Sequence, residues 1–420
     1  MKIREVRVTP IAFKDPPLLN ATGVHLPYAL RSIVEVEGDD GLVGLGETYG
    51  DLPILNNLRK VGGRLAGMSP FDVNGLRRVV DEEIRTDLAP GFENLNPGTH
   101  AAKAGTNTFG AFETAFLDLQ ARSIGIPLAQ LLGGVVRRHV PYSAYLFFKF
   151  GEHHGHPYAA DPWGEILTVD TLVASARRMV DLYGFRSLKL KAGALEPMLE
   201  ADCILALSKA FPDFPLRIDP NANWSEPTAL KIAERLNGVL EYYEDPVPGL
   251  PAMARLHRST GLPMATNMVV TSMAEFRENV GIGGVQVVLS DHHFWGGLLA
   301  TRQLAAMCDT FGLGVSMHSN SHLGISLMAM THVAASLPNL TYACDTHYPW
   351  NDEEVLTKRV EIRDGGVAVT DAPGLGVEID PAALARLHRQ YLDCGLTSTA
   401  AQGAYMRKWQ PDFPSTQPRY

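Results

Sequence analysis

The stretch Phe185-Arg186-Ser187-Leu188-Lys189-Leu190-Lys191 reads as a short strand, and the run from Glu196 to Phe211 that follows it reads as an amphipathic helix. This strand and helix form the unit on which the middle of the chain is built. It recurs as Leu216 to Asp219 with Pro227 to Leu236, Val239 to Glu244 with Ala252 to Ser259, and Pro263 to Asn267 with Met273 to Val280. Gly284 to Ser290 with Leu298 to Phe311, then Gly314 to His318 with Ile325 to Ala334, continue the series. Apolar strands joined to helices by short polar loops are what a parallel sheet covered by helices requires. Val140 to Phe147 upstream and Leu340 to Cys344 downstream bring the strands to eight. The fold class is therefore α/β, and the expected architecture is a (β/α)8 TIM-type barrel rather than a doubly wound sheet.

On the N-terminal side the texture differs. Lys2 to Phe13 and Arg31 to Glu37 alternate apolar and polar residues, and Asp39-Asp40-Gly41 is a hairpin signal, so the chain opens as a small antiparallel sheet. Helical spacing follows from Ile54 to Leu65, Pro70 to Ile84 and Ala111 to Ile124, where Phe112, Ala115, Phe116 and Leu119 share one face. After Thr357 come short strands around Gly365-Gly366 and a helix from Pro381 to Cys394. The expected division is an α+β capping domain over residues 1–132, the barrel over 133–360, and a C-terminal segment, 361–420, that packs back on the cap.

The 420 residues are 45% hydrophobic and 20% charged, which excludes disorder and fibrous designs. A formal net charge of −9 argues against nucleic acid or an anionic membrane as partner. Met1 to Phe13 has no apolar core of a leader, and no run of about 18 apolar residues occurs. Cys203, Cys308, Cys344 and Cys394 form no C-x-x-C pair, so neither a disulfide framework nor a zinc cluster is indicated, and a cytoplasmic setting is expected.

Six polar residues stand at the strand ends: Lys191, Asp219, Glu244, Asn267, Asp291 and His318, spaced by 28, 25, 23, 24 and 27 residues. A barrel enzyme draws its site from the C-terminal ends of its strands, so this interval brings all six to one mouth. Asp219, Glu244 and Asn267 offer three oxygen ligands on consecutive strands, a set suited to Mg²⁺. The two-residue period of the strand puts Lys189 and Lys191 on one face. Their mutual repulsion is expected to lower both pKa values and to make Lys191 a base. Across the barrel, Asp291 is placed to orient His318 as an acid–base dyad. Bases on two sides of a metal-bound carboxylate suit removal of the proton α to it, with the developing ene-diolate stabilised by Mg²⁺ and Lys189.

These residues sit in segments that resemble the enolase superfamily, its mandelate racemase-like branch, and within it the glucarate dehydratases. The segments are LKLKAG (188–193), IDPNANW (218–224), YEDP (243–246), ATNM (265–268), DHHFW (291–295) and HSNSH (318–322), with LNATGVH (19–25) and YLFF (145–148) in the cap and first strand. Asn267, where most relatives place a third carboxylate, is the distinguishing match. The resemblance implies Mg²⁺ on Asp219, Glu244 and Asn267, Lys191 as one base with Lys189 supporting the substrate carboxylate, and His318, oriented by Asp291, as the other base and the acid for the leaving hydroxyl. It implies substrate contacts from Asn20, His25, Thr99, Tyr145, Asn221, Ser319, Asn320 and His347, with the cap loop bearing Asn20 and His25 closing over the substrate. The reaction implied is elimination of water from D-glucarate or L-idarate to 5-keto-4-deoxy-glucarate by a carbon–oxygen lyase that takes a small acid sugar, and a homo-oligomer is expected.

Two departures qualify the match. The tail GLTSTAAQ (395–402) lacks the arginine that glucarate dehydratases commonly carry to the far end of the substrate, leaving Arg31, Lys149 or Arg407 to replace it. That loss keeps another aldarate, an aldonate, or a racemase or epimerase of a hydroxy acid open as alternatives. The turn VPGLPA (247–252) holds no acid, which leaves Glu244 as the ligand. Two further features carry no chemistry in this reading. GLVGLG (41–46) looks like a phosphate loop but follows a hairpin strand and opens no helix. His153, His154 and His156 read as an exposed, flexible lid.

Overall fold

The computed structural model describes residues 1–84, 101–155, 161–414 and 416–420. The cap begins with β1 (Ile3–Lys14), the two-residue strands β2 (Leu19–Asn20) and β3 (Gly23–Val24), β4 (Tyr28–Gly38) and β5 (Val43–Tyr49). β1, β4 and β5 form an antiparallel sheet with β4 in the middle. Helices α1 (Leu52–Gly62), α2 (Val73–Glu83), α3 (Ala104–Ser123) and α4 (Leu128–Leu131) follow. Asp72 caps α2 by accepting from Gly75 N at 2.8 Å.

Helix α3 does not present the single apolar face its sequence suggests. It is buried on all sides from Asn107 to Ala121, because it is sandwiched between the cap sheet and the barrel. Its acids are consumed by backbone donors: Asp118 accepts from Leu45 N and Leu375 N, and Glu113 from Leu298 N and Leu299 N. On the sheet side, a Cβ at Gly44 would lie 2.0 Å from Ala115 O and one at Gly46 2.3 Å from Ala111 O. From Val43 on, the GLVGLG run is thus a strand whose missing side chains at Gly44 and Gly46 let a helix press on it.

The barrel strands are β6 (His139–Phe147), β7 (Leu188–Lys191), β8 (Leu216–Asp219), β9 (Leu240–Glu244), β10 (Met264–Thr266), β11 (Val287–Ser290), β12 (Gly314–Met317) and β13 (Cys344–Thr346). All pair in parallel in sequence order, with β13 returning to β6. At the seam between β12 and β13, Thr341 N and Tyr342 N each reach Val315 O at 3.1 Å and draw the curl shut. The outer helices are α5 (Val169–Tyr183), α6 (Pro197–Ala210), α7 (Glu226–Arg235), α8 (Leu250–Thr260), α9 (Met273–Ile282), α10 (Gly297–Thr310) and α11 (Gly324–Ser336). Thr168, Ser225 and Ser272 cap α5, α7 and α9 with their side-chain oxygens.

The C-terminal segment contains β14 (Gly366–Ala368), α12 (Pro381–Asp393) and α13 (Gln402–Met406). α12 lies on β1, where Gln390 Nε2 donates to Ala12 O at 3.0 Å. This segment does not pack on the cap alone. β14 pairs antiparallel with His139 to Pro141 of β6, whose edge is free there because β13 and β7 join β6 only from Tyr142 onward. Arg419 donates to Gly193 O at 2.6 Å, so the end of the chain also straps a loop at the barrel mouth. Among the described residues no helix is long and apolar enough to cross a membrane.

Because the helix backbone leaves no room above β5, Gly46→Ala should lower unfolding free energy by about 1–3 kcal/mol, the usual cost of overpacking. Urea denaturation reads this as a lower midpoint. An unchanged midpoint would mean the contact is looser than the distances imply.

Candidate active site

β7 is four residues long and wholly buried, so both lysines that its period places on one face point inside the barrel. Lys189 Nζ donates to Glu244 Oε1 and to Asp345 Oδ2, each at 2.6 Å, and lies 3.4 Å from Asp219 Oδ2. Its ammonium is fully enclosed and does not line the pocket. Burial alone would depress its pKa, yet Asp345, Glu244 and Asp219 together raise it well above the ordinary lysine value. The expected lowering by its neighbouring lysine is therefore reversed. Lys189, expected to meet the substrate, is held here by Glu244 and Asp345 beneath the residues that line the cavity. Lys191 is one step closer to the mouth, lines the pocket, and donates to Asp219 Oδ2 at 2.6 Å.

Asp219 and Glu244 end β8 and β9, and Asn267 directly follows β10. Asp219 Oδ1 accepts from Asn221 N at 3.0 Å, where the chain turns through left-handed φ values at Asn221 and Ala222. Burial pushes the Asp219 carboxyl up, but the charges of Lys191 and Lys189 outweigh it and bring the value to about 2. Glu244 moves the other way, raised by burial and by the surrounding Asp219, Asp345 and Asp245, with only Lys189 opposing. Thr266 Oγ1 donates to Asp245 Oδ1 at 2.5 Å and accepts from Met268 N and Val269 N, while Asn267 N donates to Asp245 Oδ2. That turn fixes Asn267 with its side-chain oxygen inward.

Whether these residues suit a cation is decided by their orphaned atoms. Glu244 Oε2 and Asn267 Oδ1 are buried and, among the described residues, meet no hydrogen-bond donor. Two unanswered acceptors on adjacent strands, beside the Asp219 carboxylate, form an all-oxygen set that fits a hard divalent ion.

On the far side, His318 Nδ1 lies 3.0 Å from Asp291 Oδ2 and the ring lines the pocket. His293, two residues after Asp291, approaches the other carboxylate oxygen at 2.6 Å. Burial would raise the Asp291 carboxyl, but these two rings hold it well below the usual carboxylate range. Lys191 ends β7 and His318 follows β12, the second and seventh barrel strands, and so they face the cavity from different sides.

Of the proposed substrate contacts, Asn20, His25, Tyr145, Asn221, Ser319, Asn320 and His347 all line this cavity, and Thr99 lies outside the described residues. His25 Nδ1 pairs with Asp15 Oδ2 at 3.0 Å, and its ring stacks on His347 at 5.6 Å. Burial, followed by the nearby His25, holds His347 well below the ordinary imidazole value. Of the three cations the sequence offers for the far end, only Arg31 lines the cavity. Lys149 is bonded to the carbonyls of Phe150 and Gly164, and Arg407 to that of Phe413. From the tail, Gln402 of α13 lines the cavity, accepting from Asn20 Nδ2 at 2.9 Å and from Thr22 Oγ1 at 2.6 Å. His153 is buried rather than an exposed lid, since Asp15 O at 2.7 Å and Tyr405 OH at 3.2 Å take its two nitrogens, and His156 lies outside the described residues.

Sequence reasoning missed Gln402, Asp15, His293 and Asp345. Only Asp345 left a signal, because it follows His318 by 27 residues and so continues the strand-end interval.

A family model described as the mandelate racemase / muconate lactonizing enzyme N-terminal domain matches residues 3–133, and one described as enolase C-terminal domain-like matches residues 171–383. The chain belongs to the enolase superfamily. Within it, the chain is 50% identical to a "probable glucarate dehydratase" of Streptomyces coelicolor, over 98% of this chain and 97% of that one. It is 30% identical to muconate cycloisomerase 1 of Rhodococcus opacus over 74% and 77% of the two chains. A crystal structure of an enolase from Pseudomonas fluorescens with bound magnesium, potassium and tartrate superposes with a TM-score of 0.96 at 56% identity, covering 100% of this chain and 99% of that one. An enolase from Thermobispora bispora complexed with magnesium and formate has a TM-score of 0.96 at 48% identity, with 100% of both chains covered.

If the orphaned oxygens mark a cation site, Mg²⁺ should raise the thermal midpoint, by the equivalent of about 2.7 kcal/mol at 100-fold excess over the dissociation constant. Asn267→Leu should lose that rise. A midpoint indifferent to Mg²⁺ in the unaltered protein would contradict the site.

Proposed function

We propose that this enzyme is a Mg²⁺-dependent acid-sugar dehydratase, a hydro-lyase that converts D-glucarate, or its epimer L-idarate, to 5-keto-4-deoxy-glucarate. The observation that carries the reading is the pair of basic side chains, Lys191 and His318, facing one cavity from two sides beside Asp219, Glu244 and Asn267. Mg²⁺ on those three ligands supplies fixed positive charge that makes the proton α to a carboxylate easier to remove.

The chain's own groups do the rest. His318 is oriented by Asp291 Oδ2 at Nδ1, which leaves Nε2 to take a proton from one face of the α-carbon. Lys191 covers the other face. Bases on both faces let two epimers that differ only at that carbon reach one product. The β-hydroxyl then leaves with a proton delivered by His318, and the resulting enol becomes the 2-keto acid. Asn20, His25, Gln402 and His347 close the cavity from the cap, the tail and the last barrel strand and exclude water from the developing charge. The similarity to a "probable glucarate dehydratase", and a neighbour crystallised with the dicarboxylate tartrate, agree with a diacid substrate.

One observation favours a second substrate. Gln402, a neutral amide, lines the cavity from a tail stretch that holds no arginine, which suits the uncharged end of an aldonate.

Incubation with a panel of aldarates and aldonates, read by formation of a 2-keto acid, separates the two. D-glucarate should turn over, and His318→Asn should reduce the rate about 10²–10⁴-fold, as expected for loss of a general acid–base group. No product from any diacid in the presence of Mg²⁺ would remove the glucarate assignment, and product from aldonates alone would establish the second reading.

A further inference from the structure

The hydrogen-bond chain behind His318 continues past Asp291. Asp291 accepts at Oδ2 from His318 Nδ1 and at Oδ1 from His293 Nδ1, so one carboxylate serves two imidazoles. Either ring, on taking a second proton, would claim that charge at the other's expense. His293 is buried, and its far nitrogen, Nε2, lies 2.9 Å from Arg31 Nη2 and 3.0 Å from Ser326 Oγ. A guanidinium can only donate. Nε2 of His293 therefore accepts from Arg31 and keeps its lone pair, the proton stays on Nδ1, and the ring stays neutral while Arg31 is in place.

Arg31 is itself fixed, and by the cap. It rises from β4, its Nε donates to Glu47 Oε1 of β5 at 2.9 Å, and its guanidinium lies 4.9 Å from the Tyr49 ring centre. Glu47 accepts from Leu323 N and Ser326 N at 2.9 Å each, at the start of α11. Other titratable groups crowd the same space. The His292 ring lies tilted against that of His293 with ring centres 4.0 Å apart, and His322 and His347 stand close by. Burial holds all three below the imidazole range, His322 down to about 3. Burial likewise pushes the Tyr49 hydroxyl well up. Glu47, which burial alone would raise, is held below its usual value by Arg31 and His322. Across the cavity stand Lys191, paired with Asp219, and Asp15, paired with His25. With Arg31 and Glu47 compensating each other, the charge left to divide between His293 and His318 is that of Asp291.

We propose that Arg31, although it belongs to the cap, is a positioning residue for the barrel's base: by keeping His293 neutral it reserves the Asp291 carboxylate for His318. The acid–base pair is then complete only when the cap is seated on the barrel. This rests on the reading of His318 as the base.

Ring ¹⁵N NMR of the full-length protein reads the tautomer without substrate, with the His293 signals assigned by their loss in His293→Asn. In the unaltered protein His293 should show a protonated Nδ1 and a bare Nε2 from about pH 5 to 8, the range in which an unrestrained imidazole titrates. In Arg31→Met it should take a second proton within that range. The acid limb of the kcat profile should then move to lower pH by about one unit, because an imidazolium at His293 disfavours one at His318. The double variant Arg31→Met with His293→Asn, which keeps a donor toward Asp291 but cannot be protonated, should return the limb to its original position. If Arg31→Met does not fold, Arg31→Lys replaces it, since one ammonium cannot serve both Glu47 and His293. A lower melting temperature with the limb unmoved, or no rescue by His293→Asn, would overturn the proposal and reduce Arg31 to a cap anchor. Proton exchange in D₂O that survives His318→Asn would instead remove His318 as the base and leave the tautomer result standing.

Discussion

Lys189 lies under the floor of the pocket with its ammonium 2.6 Å from both Glu244 and Asp345 and 3.4 Å from Asp219. Withdrawing an ammonium from water costs several kcal/mol unless carboxylates and hydrogen bonds replace the water. Four strands therefore have to present these groups at one height: β7 brings the lysine, and β8, β9 and β13 bring the acids. A slip of one residue in any of them would turn its functional side chain to the other face of the sheet. Arg217, beneath them, adds a contact of 3.7 Å to Asp345. Around this point Asp219, Glu244, Asp245 and Asp345 outnumber Lys189, Lys191 and Arg217. Burial and that crowding raise the Glu244 and Asp245 carboxyls, and two acceptors there are left unanswered, an environment that suits a small dication.

The barrel does not complete its own pocket. The segment from Asn20 to Leu26 and β4 supply one wall, and Gln402, from the last short helix of the chain, joins it. Buried acids hold these pieces together by answering backbone donors across the interface. Glu113 caps the start of α10, Glu47 the start of α11, and Asp118 ties β5 to Leu375. Such bonds gain strength from the low dielectric around them and lose it if water enters, so cap seating and exclusion of water are one event. The same contacts place Arg31 against His293, which links a structural interface to the protonation of the site.

Much of this was legible in the sequence, because strands and helices alternate with a period that survives in the residues themselves. The interval between Lys191, Asp219, Glu244, Asn267, Asp291 and His318 follows from the size of one β/α unit, and the enolase-superfamily motifs sit at those positions. What escaped depends on contacts between distant segments. Lys189 reads as a substrate contact from its strand face, but its partners Glu244 and Asp345 stand 55 and 156 residues away. Arg31 and His293 are separated by 262 residues, and Asn20 and Gln402 by 382. The tail, read for a charge, shows only that arginine is missing; that the Gln402 amide reaches the cavity follows from where α13 ends up. Helix α3 misleads for a different reason. Its polar residues look solvent-facing until Asp118 and Glu113 find backbone donors on both sides.

The account stands on the charge arrangement at the barrel mouth. The most direct test is a crystal of the protein grown with Mn²⁺ in place of Mg²⁺ and soaked with D-glucarate, with data collected for anomalous scattering. The account predicts one strong peak among the oxygens of Asp219, Glu244 and Asn267, next to the substrate carboxylate and between Lys191 and His318. A peak on Asp291, His292 and His293 instead, or substrate bound with no metal beside it, would contradict it.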